Sequence, residues 1–143
     1  MTPMRTRIFE AGWLSVACLL IVAMPALAKD PDTGWSLARL KARGATVFRV
    51  NCVACHQADG QGIPGVFPAL VRSPVVLGPK AEHIRTVLNG RRGTGMLPFG
   101  ARLSDTDIAA VVTYERNAWG NKTGDAVQPA EVKVQREHAQ API

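Results

Sequence analysis

Strand-like alternation is missing from this sequence, aromatic residues make up 6 %, and cysteine occurs three times in 143 residues. Each shortage excludes something. Without period-two runs of β-branched and aromatic residues a sheet has no pattern to follow, so the expected fold class is all-α. Cys18, Cys52 and Cys55 are too few for a framework of several disulfides, or for a four-cysteine zinc or iron–sulfur site. The basic residues are scattered and the aromatics sparse, which leaves no stacking platform or basic stripe for nucleic acid. No internal repeat is visible.

What is present divides unevenly. Arg5 and Arg7 precede an apolar stretch from Ala11 to Ala23, Pro25 breaks it, and Ala26-Leu27-Ala28 supplies a small-x-small cleavage site. Residues 1–28 therefore read as a secretory signal peptide. An uncleaved anchor is the alternative, because Ala11 to Ala28 carries no charge and lies at the short edge of a spanning helix. Cys18 falls inside this stretch as apolar filler; apolar residues continue after it and Ser15 fits a lipidation signal poorly. The chain carries a net charge of +6 and stays basic once Arg5, Arg7 and Glu10 are removed. That balance suits either steering toward acidic partners or plain solubility.

Residues 29–36 form a polar lead. A helix is expected from Leu37 to Val53, interrupted by Gly44, which costs helix stability unless close packing needs the missing side chain. Asp59 to Leu77 holds Gly60, Gly62, Pro64, Gly65, Pro68 and Pro74, too many breakers for regular structure. Pro79 to Asn89 reads as a short helix stopped by Gly90. Arg91 to Arg102 is a second loop. The clearest helix runs from Ser104, a good N-cap followed by Asp105 and Asp107, to Trp119, and Gly120 ends it. Residues 121–143 are polar, contain Pro129 and Pro142, and read as a loosely held tail with a short turn after Pro129.

The chemistry concentrates at Cys52-Val53-Ala54-Cys55-His56, which matches C-x-x-C-H, the attachment motif for c-type haem. Two thiols one helical step apart can reach the vinyl groups on one porphyrin edge. The next residue, His56, then falls beneath the iron as proximal ligand. A redox-active C-x-x-C needs a βαβ context, and a zinc site needs further ligands, for which His83 and His138 are the remaining histidines. A plain disulfide in an exported protein is the other reading. The sixth iron ligand follows by elimination. Methionine stands at positions 1, 4, 24 and 96, and the first three leave with the signal. Met96 lies between Gly93, Gly95 and Pro98, residues that let backbone approach a flat ring and set its direction. His83, expected to be partly exposed, is the alternative distal ligand.

In this order these elements resemble the class I cytochrome c family, over about residues 37–120. A first helix with Gly44 and Phe48 leads to CVACH. The loop DGQGIPGVFPAL and the helix AEHIRTVLNG follow, then GTGMLPFG and a closing helix to Trp119. The resemblance implies three main helices and long loops wrapped around one covalent haem c. It implies that Gly44 and Phe48 pack on the last helix near Tyr114, and that the Pro68 carbonyl accepts the N–H of His56, orienting it. The closing residues are also similar to the carboxyl-terminal haem domain of haem–copper oxidase subunit II, and to cytochrome subunits of membrane-bound alcohol and sugar-acid dehydrogenases. The function implied is a periplasmic monohaem one-electron carrier, not an enzyme, between a reductase or dehydrogenase and a terminal oxidase. The alternative is a haem-bearing subunit of such a complex, with membrane association only through that complex or an uncleaved signal. An open-site haem enzyme or sensor is the weaker reading, because Met96 would close the iron.

Overall fold

The structure, a computed structural model, describes residues 34–140. The signal expected at residues 1–28, and residues 29–33 of the polar lead, lie outside the described residues. Among those described, six helices occur and no helix is long and apolar enough to cross a membrane.

Helix α1 (Leu37–Asn51) starts where the Ser36 hydroxyl accepts the Arg39 N–H at 3.3 Å, a side-chain cap on an orphan helix donor. Its buried residues are Leu40, Gly44, Val47 and Phe48, spaced three and four apart along one stripe. That stripe lies on the helix labelled α5 (Asp105–Asn117). The two backbones nearly touch at Gly44. A Cβ there would lie 2.0 Å from the Ala110 carbonyl oxygen and 2.6 Å from Tyr114 Cβ. The glycine that weakens α1 locally is thus what permits the crossing.

Helix α5 is the centre of the molecule. Ser104 caps it, accepting the Asp107 N–H at 3.1 Å while its own hydroxyl donates to Asp107 Oδ2 at 2.7 Å. Every residue from Ile108 to Thr113 is buried, which a helix allows only when neighbours cover it on all sides. Those neighbours are α1, the short α3 (Pro74–Leu77), α4 (Lys80–Asn89) and α6 (Pro129–Gln140). Helix α4 contributes Ile84, Val87 and Leu88, and ends at Gly90 with φ +65°.

The carboxyl-terminal stretch differs from expectation. Residues 121–140 are not loosely held: α6 spans twelve residues, and Val127 and Val132 are completely buried. The segment is polar because polar contacts hold it. Gln128 accepts the Trp35 N–H at 2.7 Å and donates to the Trp35 carbonyl at 3.0 Å. Lys80 pairs with Glu131 at 2.6 Å, and Arg85 donates to Gln135 at 2.8 Å. A helix this short is marginal alone, so these distant partners decide it.

Two outcomes test the packing and the cap. Gly44→Ala gains about 1 kcal/mol of helix propensity, yet it drives a methyl into a backbone carbonyl. The net result is a loss of about 1–3 kcal/mol, read from urea midpoints. At α5, burial by itself raises the Asp107 carboxyl, but bonds from Ser104 and Arg43 and the Arg43 charge outweigh it and hold it below its ordinary 3.8. A folded value lower than the unfolded one gives stability that is complete above the ordinary value and lost as pH falls through the lowered one. Thermal melts should show the native protein ahead of Asp107→Asn at neutral pH and level with it in strong acid.

Candidate functional site

The site begins where α1 stops. At Cys52 the backbone leaves the helix, with φ −120°, while its N–H still donates to the Phe48 carbonyl at 2.8 Å. The chain then makes one turn, α2 (Val53–His56), and reverses at Gln57, where φ is +61°. Cys52, Cys55 and His56 therefore share one tight turn anchored to the α1–α5 crossing. Both cysteines are half-buried, and they are not joined to each other in a disulfide. Burial, then the charges of Glu115 and Cys55, holds the Cys52 thiol far above its usual range.

The loop after α2 folds back onto His56. Gly62 donates its N–H to the His56 carbonyl at 3.0 Å. A Cβ on Gly62 would lie 2.3 Å from the Phe67 carbonyl oxygen and 2.6 Å from that of Pro68. The bare glycine lets this strand of loop close, and the Pro68 carbonyl then lies 3.0 Å from His56 Nδ1. A carbonyl only accepts, so Nδ1 carries the hydrogen and Nε2 keeps its lone pair. That is the tautomer a metal-ligating imidazole needs. The sequence marks Gly62 as one breaker among several; its steric role appears only once the loop closes.

Met96 lies on the second loop, half-exposed. Its N–H donates to Thr94 Oγ1 at 3.2 Å, and its carbonyl accepts the Arg91 N–H at 3.0 Å. Gly90 lets the loop cross close to the end of α4, since a Cβ there would lie 2.3 Å from the Met96 carbonyl oxygen. The structure joins His56 and Pro68 directly. The Met96 loop meets the first loop where the Cβ position of Gly95 is 3.4 Å from the Phe67 ring.

An aromatic cluster braces the turn from below. Phe48, Tyr114 and Trp119 stack with ring centroids 4.9–5.6 Å apart. Trp119 also covers Gly60 and donates Nε1–H to the Ala58 carbonyl at 2.9 Å. The Gly44 and Phe48 contacts with α5 near Tyr114 are present as the resemblance implied.

His83 needs correction. It is 2 % exposed, not partly exposed, and its Nε2 donates to Glu115 Oε2 at 2.8 Å. Its Nδ1 has no hydrogen-bond partner among the described residues. Glu115 stands 32 positions later on a facing helix, so nothing local in the sequence announces the pair. His138 is exposed on α6. Two other buried polar residues also escaped sequence reading. Arg116 donates Nη1 to the carbonyls of Val76 (2.6 Å) and Gly78 (2.9 Å). Asn121 donates to the carbonyls of Leu70 (3.2 Å) and Glu115 (2.8 Å). Both pin the first loop to α5.

The donor set fits a covalent haem. Two thiols, an imidazole with Nε2 left available, and a thioether on the facing loop are sulfur and nitrogen ligands suited to iron. The two loops also expose the apolar side chains of Ile63, Val66 and Leu97, surface of the kind a porphyrin face covers.

Comparisons with known proteins point to haem c. A family model described as cytochrome c oxidase, cbb3-type, subunit III matches residues 39–114. Cytochrome c-552 of Thermus thermophilus is 34 % identical over 94 residues, 57 % of this chain and 71 % of that protein. The cytochrome c subunit of the quinone alcohol dehydrogenase of Gluconobacter oxydans is 30 % identical over 103 residues, 65 % of this chain and 22 % of that subunit. This chain thus spans about a quarter or less of the dehydrogenase subunits it matches. A solved c-type cytochrome, XoxG from Methylobacterium extorquens AM1, aligns with TM-score 0.49 at 19 % identity, over 68 % of this chain and 66 % of that one.

The buried pair can be tested. His83→Ala strands the Glu115 carboxylate in the core and should cost about 3–5 kcal/mol, whereas replacing both partners with leucine recovers most of the loss. Urea unfolding of the two variants reads the difference.

Proposed function

Since the chain belongs to the class I cytochrome c family, and is a haem c electron-transfer protein, we propose that it is an exported monohaem carrier with iron held between His56 and Met96. Cys52 and Cys55 would hold the haem through two thioether links. One observation carries the reading: the 3.0 Å bond from His56 Nδ1–H to the Pro68 carbonyl. It fixes the tautomer and aims the free nitrogen, within the turn that holds both thiols.

Bound there, the haem supplies a one-electron ferric–ferrous couple. The protein's part is to hold still around it. The Pro68 carbonyl draws on the Nδ1 hydrogen and makes the imidazole a stronger donor. The Met96 thioether favours the ferrous form and raises the potential. Gly62, Asn121 and Arg116 restrain the first loop, so that His56 has little room to move when the charge on iron changes. With His56 and Met96 both holding the iron, no position would remain for a substrate, which separates this reading from an open-site enzyme or sensor.

Residues 1–28 place the protein in the periplasm, with cleavage after Ala28. Its redox partners are a reductase or dehydrogenase on one side and a terminal oxidase on the other. Similarity to dehydrogenase cytochrome c subunits supports a second reading, in which the chain works docked within such a complex.

An intact mass of the exported protein reads cleavage and covalent haem together. Cys52→Ser with Cys55→Ser should abolish haem staining on a denaturing gel; staining that survives overturns covalent attachment. Met96→Ala should keep the haem, shift the ferric spectrum to high spin, and lower the potential by on the order of a tenth of a volt, within the ~0.8 V range axial ligands command. An unchanged spectrum removes Met96 from the iron.

A further inference from the structure

Helix α6 lies outside the residues that match the family model, 39–114, yet it reaches back to the loop that carries Met96. Its Arg136 guanidinium makes three contacts with one turn. Nε donates to Asp105 Oδ1 at 2.8 Å, Nη2 to the Leu103 carbonyl at 3.1 Å, and Nη1 to the Gly100 carbonyl. Gly100 is four positions from Met96, and Pro98 between them stiffens the chain. A Cβ on Gly100 would lie 3.0 Å from the Leu88 carbonyl oxygen, so the bare glycine lets this turn sit close against the end of α4.

The same short segment is tied on its inner side to α4. The Phe99 N–H donates to the Val87 carbonyl at 3.1 Å, and the Gly100 N–H to that of Leu88 at 3.0 Å. Arg136 is the outer restraint, and α6 is itself fixed independently by buried Val132, by Lys80–Glu131 and by Arg85–Gln135. A planar fork can hold two carbonyls and a carboxylate together; a lysine ammonium is a point charge and cannot reproduce that geometry.

We propose that Arg136 is a positioning residue for the sixth iron ligand. By clamping the turn at Gly100–Leu103 it holds the Met96 loop closed and raises the free energy needed to detach the thioether. The proposal rests on Met96 ligation. It assigns to an added carboxyl-terminal helix the task of resisting ligand exchange.

The test uses the ferric holoprotein and imidazole as a competing ligand. Displacement of Met96 is followed by loss of the sulfur-to-iron charge-transfer band. Arg136→Ala should bind imidazole about tenfold more tightly, the equivalent of one charge-assisted hydrogen bond. It should also lose the band at lower alkaline pH. Arg136→Lys should recover only part of the resistance. Ser36→Ala, which removes the cap at the far end of α1 from the Cys52–His56 turn, should lower the thermal midpoint and leave imidazole affinity as in the native protein. Unchanged affinity in Arg136→Ala overturns the proposal, and so does an equal gain in Ser36→Ala. If Arg136→Ala yields no holoprotein, Arg136→Lys decides: intermediate affinity supports the clamp, native affinity overturns it. A band absent from the native protein, or surviving in Met96→Ala, removes the Met96 assignment itself. A band that is present, and equally hard to displace in both forms, removes the clamp alone.

Discussion

The crossing of α1 and α5 at Gly44 is the constraint on which the rest depends. Backbone meets backbone there with no room for a methyl group, so the two helices have one register and one angle. That fixes the end of α1, and with it the turn carrying Cys52, Cys55 and His56. It also fixes the end of α5, from which Tyr114 and Trp119 brace that turn and Arg116 and Asn121 hold the loop above it. Core packing and site geometry are therefore the same problem. A few tenths of an ångström lost at the crossing would be passed directly to the imidazole.

Two loops complete the site, and both are held by the same means. Glycines let carbonyls come close, and polar side chains from distant helices pin them. In the first loop Gly62 admits the Phe67 and Pro68 carbonyls, while Arg116 and Asn121 supply donors from α5 and just beyond it. In the second, Gly90 and Gly100 admit the chain against α4, and Arg136 supplies the donor from α6. Irregular backbone cannot satisfy its own hydrogen bonds. The buried side-chain donors replace what secondary structure would have provided, and a loop so tied can present a ligand with little freedom to drift.

The His83–Glu115 pair is of a different kind. It lies inside the core between α4 and α5, and Glu115 contributes to the electrostatic environment of Cys52. A buried pair of this sort is weak evidence for stability and strong evidence for sensitivity, because losing one member strands the other.

The sequence by itself determined the features carried by local pattern. The all-α class and the three principal helices follow from spacing, and the cap at Ser104 and the stop at Gly90 from residue type. The C-x-x-C-H turn and the glycine-rich methionine stretch are contiguous, and so readable as candidate chemistry. Tertiary structure decided what depends on residues far apart in the chain. The burial of His83 was set by Glu115. The ordering of α6 was set by Trp35, Lys80, Arg85 and Asp105, none of which neighbours it in sequence. Gly62 and Gly100 read alike as loop breakers until the folded chain showed which carbonyl each one admits. The division has one physical cause. Propensity and spacing act over a few residues, whereas close approach and polar satisfaction depend on which distant surface arrives.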